Sequence, residues 1–280
     1  MSVGESILVT VFNREHEVLM NLFRWLNASD LSDSEIILVD DQSTYDYGWL
    51  EAYKSLMPIK VFKMDGYPAF RTENGANGPS KAFNRALQEA SGERVCILSS
   101  DMIVPARVLA KARQDYDPNS IWCPMTMDLE TSNEYCGPHR VFPMPWMLYT
   151  SREKVIEAGG WDENFLFGSC WDDNDFVGRL ALVANKITCD WGSVAWHQSH
   201  YQPAYEKKQA IVDSNKRNLT YLTTKWAGSI PFGPPDMMAF EMARGRDEST
   251  GNFCLTFKDF KNVKERVLSM TLSPFIKVNV

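Results

Sequence analysis

No stretch of the chain approaches eighteen consecutive apolar residues, so no membrane-spanning helix is expected. The opening MSVGESILVTVFNRE lacks a basic start followed by a long apolar run, which argues against a secretory leader. CxxC pairs are missing. The six cysteines (Cys96, Cys123, Cys136, Cys170, Cys189, Cys254) are scattered, a usage that fits a reduced, cytoplasmic compartment better than a disulfide framework or a zinc site. The Asn-x-Ser/Thr triplets at Asn27 and Asn218 are then chance occurrences. A basic excess is missing too: 29 Lys and Arg stand against 36 Asp and Glu, for a net charge of −7, which excludes a dominant nucleic-acid footprint. No GxGxxG follows the first apolar run, so the dinucleotide fingerprint is absent. Internal repeats and low-complexity tracts are absent as well.

What is present suits one large core, or one core with a lobe attached, in 280 residues. Ser6–Val11 is a short apolar, β-branched run, the pattern of a buried strand. It ends at Phe12-Asn13-Arg14, and Val18, Leu19, Leu22, Phe23 and Leu26 then mark one face of a helix. Ile36–Val39 repeats the strand pattern and stops at Asp40-Asp41. Strand, helix, strand at this spacing predicts a βαβ unit with a parallel sheet. Ligands of such sheets bind beyond the carboxyl ends of the strands, where Thr10, Asn13 and Asp41 would lie. A third strand is expected at Ile59–Lys63, followed by a polar loop with Arg71, and then a helix entered through Gly78-Pro79-Ser80. Val95–Leu98 is the next strand, and it delivers Ser99-Ser100-Asp101 to its carboxyl end.

The segment from Gly159 to His200 carries the densest chemistry. Asp172, Asp173 and Asp175 crowd a stretch rich in aromatics and glycine, and Phe176, Leu180, Val183 and Ala184 follow at helical spacing. Acids favour a helix start through its dipole, yet three acids beside Trp171 exceed what a dipole alone requires. Trp196-His197-Gln198-Ser199-His200 then brings imidazoles back toward the carboxylates. A carboxylate pair with a histidine serves general-base chemistry and divalent-metal binding alike.

Six motifs in order, ILVTVFNR, IILVDDQST, NGPSKAFNRALQEASGE, ILSSDM, GGWDENF and WDDNDFVGRL, with His197 after them, resemble the inverting GT-A-fold glycosyltransferases of family 2 over roughly residues 5–200. They also resemble the polypeptide N-acetylgalactosaminyltransferases. The resemblance implies an α/β fold with a Rossmann-like, mostly parallel central sheet flanked by helices. It implies Thr10, Asn13, Asp41, Arg71, Ser99 and Ser100 around a sugar nucleotide, with uracil the favoured base. Asp101 takes the place of the last carboxylate of the family's DxD metal motif, while Ser99 stands where its first Asp is usual. Asp173 matches the family's catalytic base, Asp172 replaces its usual Glu, and His197 or its rival His200 fits the late ligand to Mn²⁺ or Mg²⁺. Trp161, Asp162 and Trp171 are the expected acceptor contacts.

Beyond residue 204 the charge changes sign. Residues 205–280 carry 12 Lys and Arg against 8 Asp and Glu, whereas the preceding part carries 17 against 28. Residues 206–224 and 258–268 read as helices, so a catalytic domain at 1–204 and a mainly helical extension at 205–280 are expected. The extension would serve subunit contact, membrane-surface attachment or grip on a polyanion, or simply close the catalytic domain. The expected reaction is metal-dependent transfer from a UDP-sugar to a glycan or lipid-linked glycan. A hydroxylated DNA base is an alternative acceptor, an inactive sugar-nucleotide-binding scaffold an alternative role. A nucleotidyltransferase is disfavoured by the missing Gly-rich loop.

Overall fold

The structure, a computed structural model, describes residues 3–14, 16–65, 79–144, 146–165, 170–199, 208–233, 242–257 and 261–275. Four parallel strands form its first half: β1 (Glu5–Val11), β2 (Ser34–Asp40), β3 (Ile59–Lys63) and β4 (Arg94–Ser99). All seven positions of β2 are buried, as expected of a strand covered on both faces. Alternation sorts its side chains. Ile37 and Val39 join one buried cluster, with Leu8, Ile97 and the helix α2 (Ser80–Glu89). Ile36 and Leu38 join the other, with Ile7, Val9 and the helices α1 (His16–Asn27) and α3 (Ala106–Gln114). The sequence therefore needs no polar face in these strands, because helices lie on both sides.

The second half is mixed. It contains β5 (Met102–Ile103), β6 (Ile121–Asp128), β7 (Glu134–Cys136), β8 (Met147–Ser151) and β9 (Lys186–His197), with the helices α4 (Arg152–Glu157) and α5 (Asp172–Ala184). The C-terminal part adds α6 (Lys208–Lys225), β10 (Met242–Arg246), β11 (Phe253–Phe257) and α7 (Lys261–Ser269). Among the described residues the strands form one 11-stranded sheet in the order β10-β11-β9-β6-β8-β4-β1-β2-β3, with β5 on β9 and β7 on β6. Along the parallel pair β6 and β9 the register jumps: Pro124 faces Asp190, but Met125 faces Val194, so Trp191, Gly192 and Ser193 bulge out of β9. After the bulge the strand runs on to place His197 opposite Asp128 and Met102.

The expected division after residue 204 is not a boundary of the core. β11 pairs antiparallel with β9, and Leu222, Trp226, Leu255, Phe257 and Val267 belong to the same buried cluster as Leu8 and Phe176. The physical reason is the far edge of β9. Its buried Ile187 and Cys189 would otherwise leave an open strand edge. The extension is thus a further part of the sheet and its cover rather than a helical lobe set apart.

Candidate active site

The carboxyl ends of β1, β2 and β4 lie side by side. Thr10 pairs in register with Val39 on one side and Ser99 on the other, and the Asp41 amide donates to the Val11 carbonyl at 2.8 Å. The loops beyond are pinned to one another. Asn13, in the left-handed region at φ 45°, donates its amide to Ser43 Oγ at 2.9 Å. Its Oδ1 accepts from the Thr44 amide at 2.7 Å and the Thr44 hydroxyl at 3.0 Å. Asp40 Oδ1 accepts from the Ser43 amide at 2.9 Å. Tyr47 donates its hydroxyl to the Arg14 carbonyl at 2.7 Å.

Asp101 sits in the turn from β4 to β5 with its side chain 3% exposed. Ser99 Oγ donates to Asp101 Oδ1 at 2.6 Å. Arg14 Nη2 lies 3.0 Å and His197 Nε2 3.6 Å from Asp101 Oδ2. The main chain ties the two ends together, because the Gln198 amide donates to the Asp101 carbonyl at 2.9 Å. Gln198 in turn accepts from Asn21 Nδ2 at 2.9 Å. Tyr135 and Trp146 pack on the imidazole, with ring centroids 5.4 Å and 4.8 Å from it, and fix its orientation.

Asp101 and His197 converge closely enough to ligate one ion. Among the described residues no group of three or more His, Cys, Asp or Glu converges on one point. The arrangement fits a hard ion that keeps most of its positions for water and substrate phosphate. Ser99, a neutral partner in place of a second carboxylate, leaves the ion less charge to bind.

At the start of α5 the chain takes an unusual course. Cys170 and Trp171 both have positive φ, 66° and 72°, at a cost of roughly 1–3 kcal/mol each for non-glycine residues. Asp172 and Asp173 follow directly. Both keep partial surface exposure while protein surrounds them on most sides. Burial pushes the Asp172 carboxyl up to about 6, with the Asp175 charge adding to the rise and backbone amides opposing it. Burial pushes Asp173 well above the usual carboxylate range, and the charges of Asp172 and Asp101 push the same way. Asp173 therefore shares an electrostatic site with Asp101, although they are far apart in sequence. A carboxylate raised in this way holds a proton more firmly than an exposed one and is the stronger base once ionised.

Residues 6–171 match the model of glycosyl transferase family 2. The chain belongs to that family. It is a glycosyltransferase of GT-A fold, and solved structures agree on the architecture. TarS 1–349 of S. aureus is 17% identical, with 79% of this chain and 73% of that chain covered and a TM-score of 0.57. GalNAc-T7, solved with UDP, GalNAc and Mn²⁺, is 14% identical over 84% of this chain and 53% of that one, at a TM-score of 0.54. The mannosyltransferase PcManGT from Pyrobaculum calidifontis, solved with GDP-Man and Mn²⁺, is 15% identical over 78% and 63%, at 0.53. At these identities the likeness is one of fold. No curated protein sequence matches the chain.

Within this glycosyltransferase the structure gathers most residues singled out from sequence. Thr10, Asn13 and Asp41 line the edge formed by β1 and β2; Ser99, Ser100, Asp101, His197 and Asp173 gather beside it. Arg71 and His200 lie outside the described residues. Trp171 is half-buried at the entrance to α5, next to Asp172. Trp161 and Asp162 require correction as acceptor contacts. Trp161 is 1% exposed and stacked between Phe83 and Phe176, at centroid distances of 4.4 Å and 3.8 Å. Asn84 clips its backbone on both sides, accepting from its amide at 2.8 Å and donating to its carbonyl at 3.0 Å. Asp162 is buried beneath it, 2.6 Å from Lys225 Nζ. Neither presents a surface to an acceptor. Sequence reasoning passed over Arg14 because a lone Arg after a strand carries no signal. It passed over Lys225 because a lysine at a helix end reads as solvated.

Proposed function

We propose that this glycosyltransferase moves a sugar from a nucleotide-activated donor, a UDP-sugar being favoured, to a hydroxyl of a glycan or lipid-linked glycan with inversion at the anomeric carbon. What supports the reading is that burial and the charges of Asp172 and Asp101 raise the proton affinity of Asp173, while Asp101 itself lies 3.6 Å from His197. Asp173 accepts the proton of the acceptor hydroxyl as that oxygen attacks. Asp172 keeps negative charge beside it, which sustains its basicity. Thr10 and Asp41 face the base and ribose; Asn13 holds the loop that carries Asp41. Asp101 and His197 would hold Mn²⁺ or Mg²⁺, which when bound offsets charge developing on the diphosphate leaving group. Arg14, 3.0 Å from Asp101, adds a second positive charge on the same side. Inversion follows from a base opposite the leaving group, a single displacement without a covalent intermediate.

The donor half is tested by thermal shift with a panel of nucleoside diphosphates and sugar nucleotides, with and without Mn²⁺ or Mg²⁺. A ligand at 100 times its Kd adds ~2.7 kcal/mol to the native state. A metal-dependent rise with one nucleotide is expected, and Asp101→Ala should abolish the metal dependence. No rise with any nucleotide in either metal would defeat the donor site. The acceptor half is tested by nucleotide release on adding short glycans and undecaprenyl-type glycolipids, with hydroxymethylated DNA as the competing class. Among the described residues no helix is long and apolar enough to cross a membrane.

A further inference from the structure

The expected base stands on backbone that needs holding. Cys170 and Trp171 are in the left-handed region, and the Trp171 side chain makes no capping bond to the helix that follows. What holds them comes from α6, and from one face of it. Asn215 Oδ1 accepts from Trp171 Nε1 at 3.1 Å. Asn218 Nδ2 donates to the Cys170 carbonyl at 3.1 Å. Lys225 Nζ reaches Asp175 Oδ1 at 2.9 Å and Oδ2 at 3.0 Å. Trp226 Nε1 donates to Asp175 Oδ1 at 2.9 Å. Residues 215, 218 and 225 fall on one side of a helix, and Asn218 and Lys225 are buried while Lys216, Arg217, Thr220 and Thr224 on the other side are exposed.

The same helix is itself anchored. Lys225 Nζ also donates to Asp162 Oδ2 at 2.6 Å. The Tyr221 hydroxyl lies 2.7 Å from Asp162 Oδ2 and 2.8 Å from the Met270 carbonyl. The Leu272 amide donates to Asp162 Oδ1 at 3.0 Å. Arg266 on α7 donates to the carbonyls of Lys225 and Thr224 at the end of α6. All of α6 lies beyond the span matched by the family model, which ends at residue 171.

We infer that Asn215, Asn218 and Lys225 are positioning residues: α6 clamps Cys170–Asp175 from its two ends and so fixes where the carboxyl of Asp173 stands. The segment after residue 204 would then complete the active site without touching substrate. The inference rests on the reading of Asp173 as the base, but its structural half does not.

The test pairs hydrogen exchange with kinetics on the full chain. Asn218→Ala is compared with Thr220→Ala, a change on the exposed side of α6. Asn218→Ala should speed amide exchange at residues 170–176, whereas Thr220→Ala should leave it at the native rate. Asn218→Ala should also lower kcat on the order of 10- to 100-fold, with UDP affinity within about twofold of native, as expected when only the reacting geometry is disturbed. Lys225→Met should do the same more strongly. If its loss of a buried charge prevents folding, Lys225→Met with Asp162→Asn keeps the network neutral and is used instead. Unchanged exchange at 170–176 in Asn218→Ala would overturn the clamp. A kcat that falls only in proportion to the folded fraction, or together with UDP affinity, would overturn the positioning role. If the native protein turned over no donor, the proposed function would fail, and the exchange measurement would still decide the clamp.

Discussion

Asp173 and Asp175 are two residues apart at the start of one helix, and burial pushes both carboxyls toward the protonated form. They end on opposite sides of the ordinary value. For Asp175, Arg179 and Lys225 more than offset the cost of burial, and its affinity for a proton is lowered. Arg179 Nε donates to it at 2.7 Å, and both side chains are wholly buried. Among the described residues no such cation offsets the burial of Asp173; the charges of Asp172 and Asp101 add to it, and its proton affinity is raised. Where the chain supplies the counter-charge, a buried acid is part of the scaffold. Where the chain supplies more negative charge, the acid is kept for a proton or a cation that arrives with the substrate.

Breaking that comparison from the catalytic side should give the largest effect. Asp173→Asn is expected to lower kcat by roughly 10²–10⁴-fold while UDP affinity and the urea midpoint stay near native. A loss under tenfold would remove Asp173 as the base. From the scaffold side, Asp175→Asn takes from Arg179 its carboxylate partner and leaves Lys225 with Asp162 alone. Breaking a buried pair of this kind costs about 3–5 kcal/mol, to be read from urea unfolding. A cost below about 1 kcal/mol would show that the network is not held by charge.

The pH dependence sharpens the contrast, because the two signs differ. Asp172, raised to about 6 from 3.8, binds its proton more tightly in the folded state. Its contribution is most favourable below 3.8 and declines as pH climbs through about 6. Asp175, lowered from 3.8, contributes above that value and loses its contribution as pH falls below it. Asp172→Asn should therefore flatten the decline between pH ~4 and ~6 without touching the acid side. The rate of the native enzyme should rise with pH as Asp173 loses its proton. A rate that nowhere rises with pH while the protein stays folded would contradict the raised carboxyl.

The smallest effect is expected where α5 packs on Pro231 and Trp226. A Cβ added at Gly178 would meet Pro231 Cβ at 2.6 Å and Trp226 Cζ2 at 3.0 Å. Gly178→Ala should cost about 1–3 kcal/mol through overpacking, with kcat per folded molecule nearly unchanged. A large kcat loss there would mean that packing alone, rather than the Asn215, Asn218 and Lys225 contacts, governs Asp173.

The parallel half of the sheet was legible because its strands are short, apolar and β-branched. Residues 59–63 are a strand both in the pattern and in the structure, and the buried runs at 36–39 and 95–98 extend by one or two residues at each end. The acid-rich start of α5 was legible as well, since three acids in one turn exceed what a helix dipole attracts. The joining of β10 and β11 to β9 was not. Met242–Arg246 reads MARGR, with none of the alternation of a sheet strand, and it pairs antiparallel with β11, which in turn covers the edge of β9. Trp161 was misread because an indole stacked in a core and an indole stacked on a sugar look alike in sequence; only Phe83 and Phe176 on its faces distinguish them. The acids of the two networks carried no mark of their partners, because Lys225 lies 50 residues from Asp175 and 63 from Asp162.

The bulge in β9 has a consequence for how this chain tolerates change. Side chains alternate along a strand, so an odd shift in register exchanges its faces. Trp191-Gly192-Ser193 are the three residues by which β9 exceeds β6 between Asp190 and Val194. Replacing one of them alters a local surface. Deleting one leaves two residues to span from Asp190 to Val194; if they cannot, the strand downstream gives up its register with β6 or turns His197 away from Asp101. Length at this point, more than identity, is expected to govern whether His197 stays beside Asp101.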